Sequence, residues 1–255
     1  LTDGGDTKLS FVVVRTNSQG DTVWRYWDDV SYPYWIAGGL CLTADGGCVV
    51  SGFCISDSIF LLKLDAAGSP VWTRRYHEPG YRDWTGARLP VEQTADGGFV
   101  LGSQQLLKTN SAGSQVWRKD YDSVYVIFDV VQTPDGGYVA TGVGGDKDAP
   151  AERELYQLCL LKVNSQGTLQ WRRLYSHTDD GSQGLCLALT SDGGYFVSGE
   201  NGTGIVARYD SQGIEQWTLS GLNRYRWAGS GQQTADGGYV VVVYSKLIKL
   251  APDGQ

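Results

Sequence analysis

Six Asp-Gly-Gly triplets, at Asp3, Asp45, Asp96, Asp135, Asp192 and Asp236, constrain this chain more than any other feature. Each Asp-Gly sits where a tight turn needs positive φ, which glycine adopts without steric cost. The flanks read as strands, as in Leu40-Cys41-Leu42 before one turn and Cys48-Val49-Val50 after it. Two further phrases travel with the triplet. A basic residue recurs at Arg15, Lys63, Lys108, Lys162, Arg208 and Lys249, two places before a second turn that ends in glycine (Gly20, Gly68, Gly113, Gly167, Gly213, Gly254). A tryptophan then closes the unit at Trp24, Trp72, Trp117, Trp171 and Trp217, roughly 45–54 residues from one to the next.

Each unit therefore predicts four antiparallel strands. The first ends at the threonine of Thr-x-Asp-Gly-Gly, the second follows Gly-Gly, the third carries Lys or Arg, and the fourth carries Trp. Short four-stranded units in series predict an all-β fold, a single β-propeller over residues 1–255, whether complete or an excerpt of a longer chain. Complete units are expected at 39–77, 90–121, 127–175 and 185–218, with three strands more over 231–254. Five blades are preferred, the Trp24 strand joining the C-terminal three to close the ring; six blades, two incomplete, is the alternative. Closure with five leaves strand 11–16 surplus, an unpaired edge through which copies could add to one another into a filament.

The quoted phrases resemble the secreted bacterial and archaeal propeller repeats that read T-x-D-G-G-Y-x-x-x-G and then L-x-K-x-D-x-x-G-x-x-x-W, loosely similar to quinoprotein-like propellers. The resemblance covers nearly the whole chain and implies the fold and an extracellular or cell-surface location. It names no activity, and the chain lacks the blade number and cofactor-binding set of a quinoprotein dehydrogenase.

A charge that recurs in every unit serves the unit. The basic residues are expected to pair with Asp45, Asp96, Asp135, Asp192 and Asp236, and the five tryptophans to pack one blade on the next. Function is expected where the units differ, in the loops after each Trp strand. These carry Tyr34, Trp35, Arg82, Asp83, Trp84, Tyr125, Arg224, Arg226 and Trp227, aromatics with directional polar groups beside them. Such a set suits a glycan or protein ligand, or else seals the mouth of a channel.

Net charge of −7 argues against a nucleic-acid partner, and no apolar run reaches membrane-spanning length. The five cysteines lack metal-site spacing with His77 and His177 and are expected to be small buried hydrophobes. No metal or cofactor is expected. The acidic stretch with Asp146, Asp148, Glu152 and Glu154 matches no calcium loop and reads as a solvated insertion. Asn201-Gly202-Thr203 is a glycosylation sequon. No nucleophile elbow, zinc-protease motif or phosphate loop is present. A non-enzymatic binding or structural module is thus expected. The alternative is a carbohydrate-active hydrolase or lyase using two of Glu78, Asp83, Asp179 and Asp180.

Overall fold

In each Thr-x-Asp-Gly-Gly turn the threonine amide bonds the carbonyl of the second glycine, and the first glycine bonds back to the threonine carbonyl, as in Thr94 N to Gly98 O at 2.9 Å and Gly97 N to Thr94 O at 2.8 Å. The aspartate caps the same turn, Asp96 Oδ1 accepting from the Gly98 amide at 2.9 Å. These closures set the register of the first two strands of each sheet. The computed structural model describes residues 11–27, 36–54, 58–78, 88–145, 156–177, 181–222, 228–243 and 245–255.

All regular structure among the described residues is β. A two-stranded sheet pairs β1 (Val12–Thr16) with β2 (Thr22–Trp27). Four sheets of four strands follow. The first runs β3 (Ile36–Leu42), β4 (Cys48–Cys54), β5 (Ser58–Leu64) and β6 (Pro70–His77); the second β7 (Val91–Gln93), β8 (Phe99–Gly102), β9 (Leu106–Thr109) and β10 (Gln115–Lys119). The third is β11 (Val124–Gln132), β12 (Tyr138–Gly144), β13 (Gln157–Val163) and β14 (Leu169–Tyr175); the fourth is β15 (Gln183–Leu189), β16 (Tyr195–Glu200), β17 (Ile205–Tyr209) and β18 (Glu215–Ser220). A three-stranded sheet of β19 (Ala228–Gln233), β20 (Tyr239–Val243) and β21 (Lys246–Leu250) ends the chain. Strands pair in sequence order, the antiparallel blade of a propeller.

One expectation is corrected here. The Trp24 strand is not the fourth strand of the last sheet: β2 pairs with β1, Arg15 opposite Trp24. The reason is local. Asn17 Oδ1 accepts from the amides of Gln19 and Asp21, both at 2.9 Å, so β1 and β2 form a hairpin with no long-range closure to make. Among the described residues there are six sheets, one of two strands, four of four and one of three.

Two compact units emerge, residues 1–101 with 108–116 and residues 102–107 with 117–255. In both, the second and third strands are the core. Every residue of β12, for example, is buried, because each of its faces meets a neighbouring layer. The Trp strands are far more exposed, as in β6. The first unit buries Val50, Phe60, Leu62 and Leu64 with Val13 of β1. The second holds two such layers, one around Leu160, Val197 and Tyr209, the other around Phe196, Tyr239 and Val241.

The recurring ion pair forms as expected. Lys63 meets Asp45 at 2.9 Å, Lys108 meets Asp96 at 2.9 Å and Lys162 meets Asp135 at 2.8 Å; Arg208 pairs with Asp192 and Lys249 with Asp236. The cations of the four-stranded sheets are 4–8% exposed, whereas Lys249 is 48% exposed in a sheet of three strands. Arg15 instead donates to the carbonyls of Gly46 and Ala66; Asp3 lies outside the described residues.

These contacts hold the carboxyls of Asp45, Asp96 and Asp135 down at about 2. For Asp45 the Thr43 hydroxyl is the largest influence, followed by Lys63 and the Gly47 amide. For Asp96 and Asp135 partial burial acts the other way and is overcome by the same kinds of donor. Because these values fall below the roughly 3.9 of an unfolded aspartate, the unfolded chain binds more protons between them. The stability the pairs contribute is therefore complete above about pH 4 and lost as pH falls toward about 2. Thermal melts across that window should show a falling midpoint, and Asp96→Asn should make the fall shallower. An unchanged slope in that variant would show that the pair does not carry the acid response.

All five cysteines are free thiols, Cys48 and Cys159 buried and Cys41, Cys54 and Cys186 half-buried. Burial pushes Cys159 up to about 12 and Cys41 up to about 11, which suppresses the reactive thiolate.

Candidate binding face

The five repeat tryptophans join sheets rather than stand free. Trp24, Trp117 and Trp217 donate Nε1–H to the carbonyls of Ala66, Ser165 and Pro252, each in the next sheet's second turn. Ring atoms of Trp24, Trp72, Trp117, Trp171 and Trp217 stand on Gly68, Gly113, Gly167, Gly213 and Gly254, where no side chain would fit. Trp72, Trp117 and Trp217 also meet an aromatic of the next sheet edge-on: Phe99, Tyr138 and Tyr239, at 5.4–5.9 Å. Tyr76 and Tyr121 reinforce the same joint through their hydroxyls, to the carbonyls of Gly113 (2.6 Å) and Gly167 (2.9 Å). Gly20 is the exception, with no described residue within 4 Å of where its Cβ would stand.

Of the loop residues proposed from sequence for ligand contact, Tyr125 alone is described. Tyr34, Trp35, Arg82, Asp83, Trp84, Arg224, Arg226 and Trp227 lie outside the described residues. So do Asp179 and Asp180, and Asp146, Asp148, Glu152 and Glu154 of the acidic stretch.

Tyr125 belongs to a strand rather than a loop. The connection after β10 is short: Ser123 takes a left-handed φ of 59°, and β11 begins at Val124. Pairing with β12 then skips from Val124 to Val126, leaving Tyr125 at a β-bulge. Bulges re-aim side chains, and they recur in the first strands at Ala37/Gly39, Ile127/Asp129, Gly184/Cys186 and Ala228/Gly231. The Tyr125 ring packs on Val126, Phe128, Val143 and Leu185 and meets Tyr156 edge-on, centroids 6.3 Å apart at 89°. Tyr156 is 41% exposed, and its carbonyl accepts from the Ser182 amide at 2.7 Å. The two rings make a partly exposed aromatic corner at the end of the third sheet. Sequence reasoning missed Tyr156, whose only signal is its place directly after the acidic insertion.

At the second bulge of β11, Asp129 ties neighbouring sheets: its Oδ1 accepts from the Val130 amide and its Oδ2 from the Leu187 amide at 2.8 Å. At the end of β14, His177 Nε2 lies 2.8 Å from Glu215 of the fourth sheet. Both pairings link sheets.

Glu78 is 1% exposed, so it stands in the packing at the end of β6 rather than on an open surface. Asn201 is 2% exposed, its Oδ1 accepting from the amide and hydroxyl of Thr203. The sequon nitrogen therefore belongs to a buried side chain.

No family model matches the chain. One curated relative, the regulatory protein FlaEY of Caulobacter vibrioides, is 34% identical over 119 residues, covering 38% of this chain. The match spans 11% of that relative's length. Among solved structures, the Dos1 propeller aligns over 90% of this chain and 59% of its own with a TM-score of 0.59 and 14% identity. BamB from Moraxella catarrhalis aligns over 95% and 89% with a TM-score of 0.50, also at 14% identity. At these identities the likeness is one of fold, and the fold is the β-propeller.

Proposed function

We propose that this chain is a non-enzymatic propeller module of an extracellular or cell-surface protein, binding a glycan or protein ligand through the loops that follow its Trp strands. One observation carries the reading: the recurring charged and aromatic residues are engaged in building sheets and joining them. What remains to differ between units is the loop set Tyr34, Trp35, Arg82, Asp83, Trp84, Arg224, Arg226 and Trp227, with Tyr125 at the bulge that opens β11. Of this set the structure describes Tyr125, whose ring meets the partly exposed Tyr156 edge-on. Rigid scaffolds with variable loops commonly place recognition there.

A glycan array and hydrolysis assays on the same sugars test it together. Binding without turnover, weakened by Trp84→Ala and Trp227→Ala, supports the module. Turnover would favour the carbohydrate-active alternative, with Asp83, Asp179 or Asp180 as its carboxylates. No binding to glycans or to candidate surface proteins would remove the loop-face reading.

A second reading, a filament subunit assembled by strand addition through strand 11–16, is favoured by the bare Gly20 and by Val12 and Val14, 45% and 46% exposed on β1. Deleting residues 1–18, then sizing and imaging both forms, decides it. A full-length chain already monomeric at high concentration ends the filament idea.

A further inference from the structure

In two sheets a glutamine at the end of the first strand closes the gap to the preceding sheet. Gln93 accepts the Ala44 amide at 2.7 Å and donates to Gly97 O at 3.4 Å; Gln233 accepts the Ser191 amide at 2.7 Å and donates to Gly237 O at 3.2 Å. Gln132 makes the same bond within its own turn, to Gly136 O. In the remaining two sheets the position is Leu42 or Leu189. Leu189 lines one groove with Thr133, Pro134 and Asp135 of the preceding sheet's turn, and proline has no amide hydrogen for a glutamine to hold.

A groove opens at each leucine. One of about 530 Å³ lies between the third and fourth sheets, lined by Leu189, Trp171, Asp135, Lys162, Gln170 and Gln212. The groove at Leu42, about 410 Å³, is lined by the repeat-equivalent residues Trp24, Arg15 and Cys48, but its other walls are Val13, Val14 and Leu40. Trp24 Nε1 is moreover already bonded to Ala66 O.

The groove at Leu189 differs chemically. Ser211 O, which stands where Ala66 O and Ser165 O stand, accepts from the Tyr195 hydroxyl at 3.3 Å. Trp171 Nε1–H has no protein acceptor among the described residues. Lys162 is neutralised by Asp135 at 2.8 Å, while the Asp135 side chain remains 57% exposed. Gln170 and Gln212 are exposed and add two carboxamides. The groove thus combines apolar wall, an open indole donor, amide donors and acceptors, and a carboxylate whose charge is balanced. Such a set matches neither a phosphate nor a cation; it matches a compact ligand with many hydroxyls and an apolar carbon skeleton.

We infer that the groove between the third and fourth sheets is a binding site for a neutral saccharide, one pyranose unit of a glycan, separate from the loop face. Methyl glycosides of glucose, galactose, mannose and N-acetylglucosamine are the probes, followed by saturation-transfer and indole N–H shifts in NMR titrations. At least one should bind with a Kd on the order of millimolar and move the Trp171 indole resonance. Trp171→Phe, which keeps a ring and removes the N–H, and Gln212→Ala should each weaken binding about tenfold. Leu189→Trp, which fills the groove, should abolish it. Gln212→Ala alters an exposed side chain, so its melting midpoint should equal wild type. Absence of transfer to any of the four glycosides would overturn the inference. So would binding that survives Leu189→Trp and Gln212→Ala, and if that binding fell instead with Trp84→Ala, the loop-face reading would stand without the groove.

Discussion

Replacing Gly98 with alanine is expected to destabilise the protein by about 3 kcal/mol or more, among the largest effects of any one-methyl change. A Cβ there would lie 2.1 Å from Thr109 O and 2.5 Å from Lys108 Nζ. The first is backbone and the second is the buried end of the ion pair, so neither can yield without opening the sheet or the pair. Gly97 supplies the control. Its φ of +77° strains any L-residue, but the added carbon would meet only Ser111 Cβ, at 3.8 Å. Gly97→Ala should therefore cost about 1–2 kcal/mol, the strain of the left-handed conformation alone. Denaturant unfolding of both variants reads the difference directly. Equal losses would mean that the second glycine of the triplet is not there to let strands and lysine approach.

Phe196→Ala should cost about 3–5 kcal/mol. The ring is fully buried, stacked on Tyr239 with centroids 4.6 Å apart and tilted 14°, and it also meets Trp217 at 6.3 Å. It fills the layer between the fourth sheet and β19–β21, where Val206, Val241 and Leu250 pack around it. Its removal leaves a cavity that three elements of regular β-structure cannot close by a rotamer change. Phe196→Leu, which refills most of the volume, should recover a large part of the loss. A small effect of Phe196→Ala would show that the last three strands contribute little to the stability of their unit.

Much of this fold is local chemistry repeated, which is why it is legible in the chain. The Asp-Gly-Gly and Asn/Asp-x-x-Gly turns declare the hairpins, and a lysine that recurs with its aspartate declares the ion pair. Interactions that depend on which turn lies beside which strand are harder to read. The glutamine at the end of a first strand means nothing until the neighbouring amide is known, and Leu189 looks like an ordinary strand leucine until Pro134 is placed next to it. Strand counting puts Tyr125 in a loop because it cannot anticipate the bulges that add residues to β11. The partner of the Trp24 strand is hard to read for a related reason: counting strands favours a distant closure, whereas the Asn17 turn makes the adjacent hairpin. The candidate ligand surface was legible only as a set of loops that differ.

Repeated residues build the fold, Trp171 and Asp135 facing the groove at Leu189 as well, and the loop residues that differ between units are the ones proposed for recognition. Thermal melting of two pairs of variants tests this division most directly. Trp117→Ala and Trp217→Ala each remove an indole that stands on a turn glycine and bonds the next sheet, and half-buried indoles of this kind should cost about 2–4 kcal/mol, or roughly 4–16 °C in midpoint. Trp84→Ala and Trp227→Ala, which the sequence places in connecting loops, should leave the midpoint within about 2 °C of wild type. Midpoints falling equally in both pairs, or falling more at Trp84 and Trp227, would contradict the division between scaffold and site.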